Sequence, residues 1–146
     1  MPSVHATCVA LGESGILIRG PSGSGKSSLA VILAAEADGA FIADDRVICD
    51  RQADSLVARP HETLAGRVEI RGQGILSAAD LGLAVRPDAV LHLAVDLVAE
   101  SPRLPEPPED IEILGLRLPR LILDQGARRD GLASLLIRAA LRKRKP

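Results

Sequence analysis

An eight-residue glycine-rich segment constrains this chain more than any other feature of its sequence. Residues 20–27 fit the pattern G-x-x-x-x-G-K-[ST] in full, with an apolar stretch before them and an alanine-rich stretch after them. The segment consists of Gly20, Pro21, Ser22, Gly23, Ser24, Gly25, Lys26 and Ser27. Between a strand and a helix, such glycines let backbone N–H groups turn inward around an anion, and the helix N-terminus adds positive potential. The segment therefore predicts a phosphate-binding loop, the P-loop.

Two side chains of the P-loop have chemical roles of their own. We expect Lys26 to place its ammonium group against the outer phosphates of a nucleotide such as ATP, and the Ser27 hydroxyl to ligate the Mg²⁺ that bridges them. A chance glycine-rich loop is the alternative, and the full pattern in a strand–helix context argues against it. The motif predicts phosphate binding without identifying where a phosphoryl group goes.

The other hydrophobic patterns predict an α/β domain with a mixed sheet and few helices. Strands are predicted over residues 4–11, 16–19, 40–43, 46–48, 55–58, 67–71, 89–95 and 116–123, the last at a sheet edge because Pro119 interrupts it. Helices are predicted over 27–37 and 131–145, the second capped by Asp130. Its buried face is expected to consist of Leu132, Leu135, Leu136, Ala139 and Ala140. Residues 101–110, with four prolines, are expected to form an exposed loop.

The composition argues against several classes of protein. The 146 residues suit one domain, and 18 basic against 19 acidic residues argue against a general nucleic-acid coat. Phe41 is alone, with no Trp or Tyr, which argues against a platform for stacking bases. No apolar run approaches the length of a membrane helix, and residues 1–5 do not read as a signal peptide. We expect a cytoplasmic protein in which Cys8 and Cys49 are buried free thiols.

Two adjacent carboxylates follow the predicted strand 40–43. If that strand runs parallel to strand 16–19, Asp44 and Asp45 lie beside the P-loop, at the edge where ligands of open α/β sheets collect. A carboxylate there holds Mg²⁺ through water or accepts the proton of an attacking hydroxyl. Neighbouring strand residues point in opposite directions, so we expect only one of the two to face the phosphates. A turn or cap role for the pair is the less favoured alternative.

Two further candidates have ordinary structural explanations. Alternation places Glu69 on one strand face with Arg67 and Arg71, which is typical of a solvated row of charges. His5 lies in an apolar stretch, where a packed histidine is more common than a catalytic one. From the residues alone, both positions favour the structural interpretation.

Together these segments resemble the catalytic domain of the HPr kinase/phosphorylase family over nearly the whole chain. Residues 5–7 are similar to the family's His-Ala-Ser segment, and the P-loop follows at the family's spacing. Residues 43–47 resemble its Asp-Asp-Arg-Val segment, and residues 69–75 its Glu-Ile-Arg-Gly-Leu-Gly-Ile signature, with Gln73 in place of Leu. Residues 113–115 followed by Leu118 and Pro119 resemble the start of its C-terminal strand.

The resemblance implies a P-loop-containing mixed β-sheet, the HPr kinase/PEP carboxykinase-like nucleotide-binding fold. It also implies an ATP- and Mg²⁺-dependent bacterial cytoplasmic enzyme that phosphorylates a serine of the phosphocarrier protein HPr, regulates the sugar phosphotransferase system and assembles as a hexamer. The implied roles are Asp44 as proton acceptor, His5 as its assistant, Lys26 on the transferring phosphoryl group, Ser27 and Glu69 on Mg²⁺, and Arg103 as a further catalytic arginine.

Some family features are missing from the chain. The family's N-terminal domain is not among these residues, so we expect a single P-loop kinase domain over 1–146. The loop that the family ties to phosphorolysis lacks its prolines and Asn here, with Arg129 as the candidate for its arginine, so the resemblance supports the kinase reaction more strongly than phosphorolysis. A small-molecule P-loop kinase and a non-catalytic nucleotide-binding regulator are the alternatives. The basic residues Arg138, Arg142, Lys143 and Arg144 suggest either a docking surface or, as we favour, a solvated helix end.

Overall fold

A computed structural model describes residues 2–143 as a mixed sheet with helices on one of its faces. The main sheet contains β1 (Ser3–Val4), β2 (Thr7–Leu11), β3 (Ser14–Arg19), β4 (Gly39–Ala43), β5 (Val47–Gln52), β6 (Ser55–Pro60), β9 (Ala89–Leu97) and β12 (Arg120–Leu123). Two hairpins lie outside it, β7 (Arg67–Ile70) with β8 (Gly74–Ser77) and β10 (Ile111–Ile113) with β11 (Leu116–Leu118). The helices are α1 (Lys26–Ala34), α2 (Gln125–Arg129), α3 (Ala133–Lys143) and a 3₁₀ turn at Glu62–Leu64.

The strand directions bring the ends of several strands to one edge. The order is β1-β5-β6-β9-β3-β2-β4, and β2 is antiparallel to both β3 and β4. β3 and β4 are therefore parallel to each other, joined by α1 as a crossover, and β9 also runs parallel to β3. The P-loop follows β3 and Asp44 follows β4, so both lie at the same edge, as predicted from the sequence.

Both faces of the central strands are buried, which explains why they read as apolar runs. Ile16, Ile18 and Phe41 pack on the helix side with residues of α1 and α3. Leu17 and Ile42 point to the opposite face, which is covered by the β10–β11 hairpin and contains Cys8 and Cys49. The expectation of two buried free thiols is confirmed.

Several boundaries differ from the sequence-based expectation. The first predicted strand divides at His5 and Ala6 into β1, which pairs with β5, and β2. The strand predicted over 116–123 divides at Pro119 into β11 and β12, and β12 pairs only with β9, at the sheet edge. α1 ends at Ala34, three residues early, because the chain turns tightly into β4: a Cβ on Gly39 would lie 2.2 Å from the Leu33 carbonyl oxygen.

The C-terminal helix was predicted wrongly in two respects. Asp130 caps the C-terminus of the unpredicted helix α2, and α3 begins only at Ala133 after Gly131 adopts a φ of 75°. The buried face of α3 contains Ala133 and Ile137, with Ala140 and Leu141 partly buried, whereas Leu132, Leu135 and Leu136 are exposed. Both sets recur at helical spacing, so periodicity alone does not show which of them is buried. In the described part of the chain, no helix has the length and apolar character needed to cross a membrane.

Candidate active site

The P-loop forms a cradle of backbone donors at the start of α1. Gly23 and Gly25 have φ values of 81° and 96°, a backbone conformation that favours glycine. Gly25 is the N-cap residue and has no side chain, so the first N–H groups of α1 have no side-chain acceptor. Lys26 curls back over the loop and donates to the carbonyl oxygens of Gly20 and Pro21, at 2.8 and 3.1 Å. The cradle is thus arranged for an anion, with its ammonium group nearby.

The P-loop forms one wall of an open cavity of about 690 Å³. The rest of the lining consists of His5, Asp44 and Asp45, together with Glu69, Ile70, Arg71, Gly72 and Gly74 of the β7–β8 hairpin. The sequence therefore brings four separate segments to one cavity: residues around 5, 20–28, 44–45 and 69–74. Such a concave site with convergent polar groups is the expected form of a binding or catalytic site.

Asp44 is the best-fixed side chain of this cavity. It is only 6% exposed, and three donors reach its carboxylate. The Ser27 hydroxyl lies 2.7 and 2.9 Å from the two oxygens, the Thr7 hydroxyl donates at 2.8 Å, and the backbone N–H of Glu69 donates at 3.0 Å. Because these donors belong to α1, β2 and β7, three elements together fix the carboxylate against the P-loop.

Asp45 follows Asp44 in a bend after β4, so strand alternation does not apply to the pair, and both residues line the cavity. Asp45 adopts a φ of 68°, and its carboxylate lies 3.2 Å from Nε2 of His5. Both side chains are largely exposed, 57% for His5 and 69% for Asp45. His5 is therefore a rim residue of the cavity rather than a packed histidine of the core, the interpretation that the apolar stretch had favoured.

Glu69 takes part in the site through two groups. Its backbone N–H fixes Asp44, while its exposed carboxylate lines the cavity. Val68 is buried behind it and Arg67 is exposed beside it, which confirms the predicted alternation. Arg71, directly after β7, lies close to the P-loop. A Cβ placed on Gly23 would be 4.0 Å from Nη1 of Arg71.

A known protein family matches nearly the whole chain. The profile of the HPr Serine kinase C-terminal domain matches residues 1–145. The chain belongs to this family. The HPr kinase/phosphorylase of Streptococcus sanguinis is 34% identical over 127 residues, which are 82% of this chain and 40% of that protein. The HPr kinase/phosphorylase of Malacoplasma penetrans is 29% identical over 128 residues, 82% of this chain and 42% of that protein.

A solved structure supports the same assignment at the level of the fold. The Hpr(Ser) kinase/phosphatase from Coxiella burnetii matches with a TM-score of 0.85 at 27% identity, covering 98% of this chain and 92% of that one. The predicted fold class, a mixed P-loop sheet with few helices, is confirmed. The chain spans about two fifths of the length of the curated relatives named above.

The structure does not bring Arg103 to this cavity. Arg103 lies in the exposed proline-rich segment after β9, and it is not among the described residues that line the cavity. The catalytic role expected of Arg103 came from the family resemblance alone. Residues 101–110 have no clear hydrophobic pattern that could place this arginine independently. Arg103 therefore has no place in the described site.

Arg128, which the sequence reasoning missed, contacts the P-loop directly. Its side chain donates to the carbonyl oxygens of Ser24, Val98 and Asp124, the last two at 2.8 and 3.1 Å. Burial lowers the pKa of its guanidinium group from the ordinary value, although the group still carries its charge. Arg129, the residue proposed from the resemblance, is exposed. No pattern in the sequence distinguishes these two neighbours, because the choice depends on how α2 is oriented.

The possible metal ligands in the cavity suit Mg²⁺. Ser27, Asp44 and Glu69 supply oxygen atoms only, which are the ligands that Mg²⁺ prefers. Residues 2–143 contain no group of three or more His, Cys, Asp or Glu side chains able to hold a metal by themselves.

Proposed function

We propose that this chain transfers the terminal phosphoryl group of ATP to a serine of the phosphocarrier protein HPr, and thereby acts in regulation of the bacterial phosphotransferase system. The observation that carries the proposal is the contact between Asp44 and Ser27, which joins a buried carboxylate to the P-loop. The relatives named HPr kinase/phosphorylase support the choice of acceptor. We further propose that the chain acts in the cytoplasm, as a single kinase domain in a homo-hexamer.

The proposed chemistry assigns a separate task to each side chain. ATP would supply the transferable phosphoryl group, and Mg²⁺ held by Ser27 and Glu69 would offset its charge. Lys26 then exchanges the P-loop carbonyls for the phosphates, and the Ser27 hydroxyl leaves Asp44. The Asp44 oxygen so freed accepts the proton of the attacking serine as the serine oxygen bonds to the terminal phosphorus and ADP departs, while His5 and Asp45 lie at the rim to assist that proton transfer.

The shape of the cavity favours a protein acceptor over a small molecule. His5 and Asp45 are more than half exposed, so a serine on the surface of another protein reaches them without entering a closed pocket. A small-molecule kinase normally excludes water by closing around its substrate. The open cavity and the HPr kinase relatives both argue against that alternative.

The experiment is transfer of labelled phosphate from ATP to purified HPr. We expect label on wild-type HPr and none on an HPr variant whose acceptor serine is replaced by alanine. Label on a metabolite in a small-molecule extract would support the alternative kinase, and no label on any acceptor would support the regulator. A second arm adds inorganic phosphate to phosphorylated HPr, and release of pyrophosphate would establish phosphorolysis despite the altered loop at 124–132.

A further inference from the structure

We propose that the purine nucleoside of the bound nucleotide occupies a second cavity, between α1 and the junction of α2 with α3. This inference rests on the proposed use of ATP and goes beyond it, since neither the P-loop motif nor the family match says where the base lies. The cavity has a volume of about 260 Å³. Its lining includes Ser28, Leu29, Ile32, Arg128, Gly131 and Ala133.

The position of the second cavity matches the path of a nucleotide. Gly25 and Ser28 line both cavities, so the second continues directly from the phosphate cradle. Asp44 lines only the first cavity, and the transferable terminal phosphate has to lie near Asp44. The nucleoside, at the other end of the chain of phosphates, therefore leaves the cradle on the side away from Asp44, where the second cavity opens.

The chemistry of the lining suits a flat, mostly apolar ring. Leu29, Leu33 and Ala133 supply apolar walls, and the hydroxyls of Ser28 and Ser134 lie at the same cavity. Ile32, which lines the cavity, is 62% exposed and so leaves apolar surface in contact with water. A purine laid against Ile32 covers this surface and removes apolar area from water.

Arg128 adds a preorganised cationic surface. Its three hydrogen bonds to backbone carbonyls fix the plane of the guanidinium group, because each N–H donates within that plane. A guanidinium fixed in this way leaves its flat face for stacking on an aromatic ring, and purines stack well on arginine. The same residue thus fixes the P-loop through Ser24 and lines the proposed nucleoside site.

The test uses the absence of tryptophan and tyrosine from this chain. In Ile32→Trp the new indole is the sole strong fluorophore and lies at the rim of the second cavity. Leu135→Trp, at a residue of α3 that is 65% exposed and lines neither cavity, is the matched control. Each variant is titrated with Mg²⁺–ATP and with Mg²⁺–tripolyphosphate, which has the phosphates and no nucleoside, and binding is followed in parallel by calorimetry.

We expect ATP to quench the indole of Ile32→Trp while tripolyphosphate does not, and neither ligand to change the fluorescence of Leu135→Trp. We also expect Ile32→Asn to raise the Kd of ATP about 5-fold, the effect of losing an apolar contact of roughly 1 kcal/mol, with the Kd of tripolyphosphate unchanged.

Three other outcomes would contradict the inference in different ways. ATP binding by calorimetry, with no change in the fluorescence of Ile32→Trp and no change in Kd for Ile32→Asn, would overturn the nucleoside site alone. If neither ligand binds the wild-type protein, the proposed nucleotide-dependent function is wrong and the nucleoside site falls with it. If Ile32→Asn changes the oligomeric state and not ATP binding, the cavity is a contact between copies, which also contradicts the inference.

Discussion

At the scale of single residues, three donors from different elements hold the Asp44 carboxylate. Thr7 is fully buried, donates to Asp44 from β2 and does not line the cavity. In the proposed reaction Ser27 would leave Asp44 to reach Mg²⁺, whereas Thr7 and the Glu69 N–H would keep their places. Thr7 is therefore a positioning residue for the proposed base. The sequence placed it only by its similarity to the family's His-Ala-Ser segment.

Replacing Thr7 tests this positioning role. In Thr7→Val the carboxylate loses one donor while the buried volume is kept, and we expect kcat to fall about 10-fold, the equivalent of one hydrogen bond of roughly 1.4 kcal/mol. The Kd of ATP stays the same, because Thr7 does not line the cavity. Thr7→Ser retains the hydroxyl and should recover most of kcat. Equal losses in kcat and in ATP affinity, or no recovery with serine, would show that Thr7 acts only through stability.

The two core thiols predict how stability depends on pH. Burial raises the pKa of both Cys8 and Cys49 above the ordinary value of 9.0, that of Cys49 to about 11. The folded state holds these protons more tightly than the unfolded state, so the stability they contribute is complete below pH 9 and is lost as the pH rises toward 11. Urea unfolding should show a loss of about 1.4 kcal/mol per thiol for each pH unit between pH about 9 and 10.5 in the wild type. Cys49→Ala should show a smaller loss, and parallel curves for the two proteins would contradict the assignment.

At the scale of elements, the short helix α2 connects the C-terminal region to the P-loop. The Asp124 side chain caps it by accepting from the N–H of Ala127, and Arg128 then reaches Ser24 and Val98. The capped turn of helix lies in the stretch that the resemblance aligned with the family's proline-containing loop. The sequence predicts only a connection at residues 124–130, followed by one long helix. A five-residue helix has too few turns to show a hydrophobic period.

The variant Arg128→Met tests this connection between α2 and the P-loop. The variant keeps an aliphatic side chain but removes the donors to the Ser24 and Val98 carbonyls, so we expect the P-loop to loosen and the Kd of ATP to rise about 10-fold. Arg129→Met changes the exposed neighbour and should leave the Kd unchanged. Isothermal titration with Mg²⁺–ATP gives both values. An equal loss in the two variants would show a general effect of positive charge rather than the contact with Ser24.

The start of α1 and the face of α3 show why some elements were predictable and others were not. The P-loop motif defines its own helix start, and α1 begins at Lys26 within one residue of the prediction. Two apolar stripes overlap on α3. Arg138 determines which of them is buried, because it binds Glu36 and Asp38 in the turn after α1. Arg138 is thus committed to the fold rather than to a docking surface, Arg142 and Lys143 are exposed, and Arg144 lies outside the described residues. Periodicity carries no information about such a long-range ion pair.

At the scale of the whole molecule, topology joins the residues of the site. Thr7, Ser27, Asp44 and Glu69 are far apart in the sequence and meet because β2 lies between β3 and β4 and the β7–β8 hairpin closes over that edge. The length of the β3–α1–β4 unit was enough to predict the parallel crossover and the location of Asp44. The hairpin's approach was not predictable, since its strands pair with each other and not with the main sheet. The position of Arg103 was not predictable for a related reason, because residues 101–110 have no pattern that fixes their path.

The most direct measurement is phosphoryl transfer to HPr by Asp44→Asn, with ATP binding measured on the same preparation. The amide keeps the size of the side chain but does not accept a proton, so we expect transfer to fall at least about 100-fold while the Kd of ATP changes little. Asp88→Asn, an exposed residue before β9 at the opposite end of the sheet, is the control and should transfer phosphate like the wild type. Transfer at the wild-type rate by Asp44→Asn would contradict the account, because the buried carboxylate beside the P-loop would then have no part in the reaction.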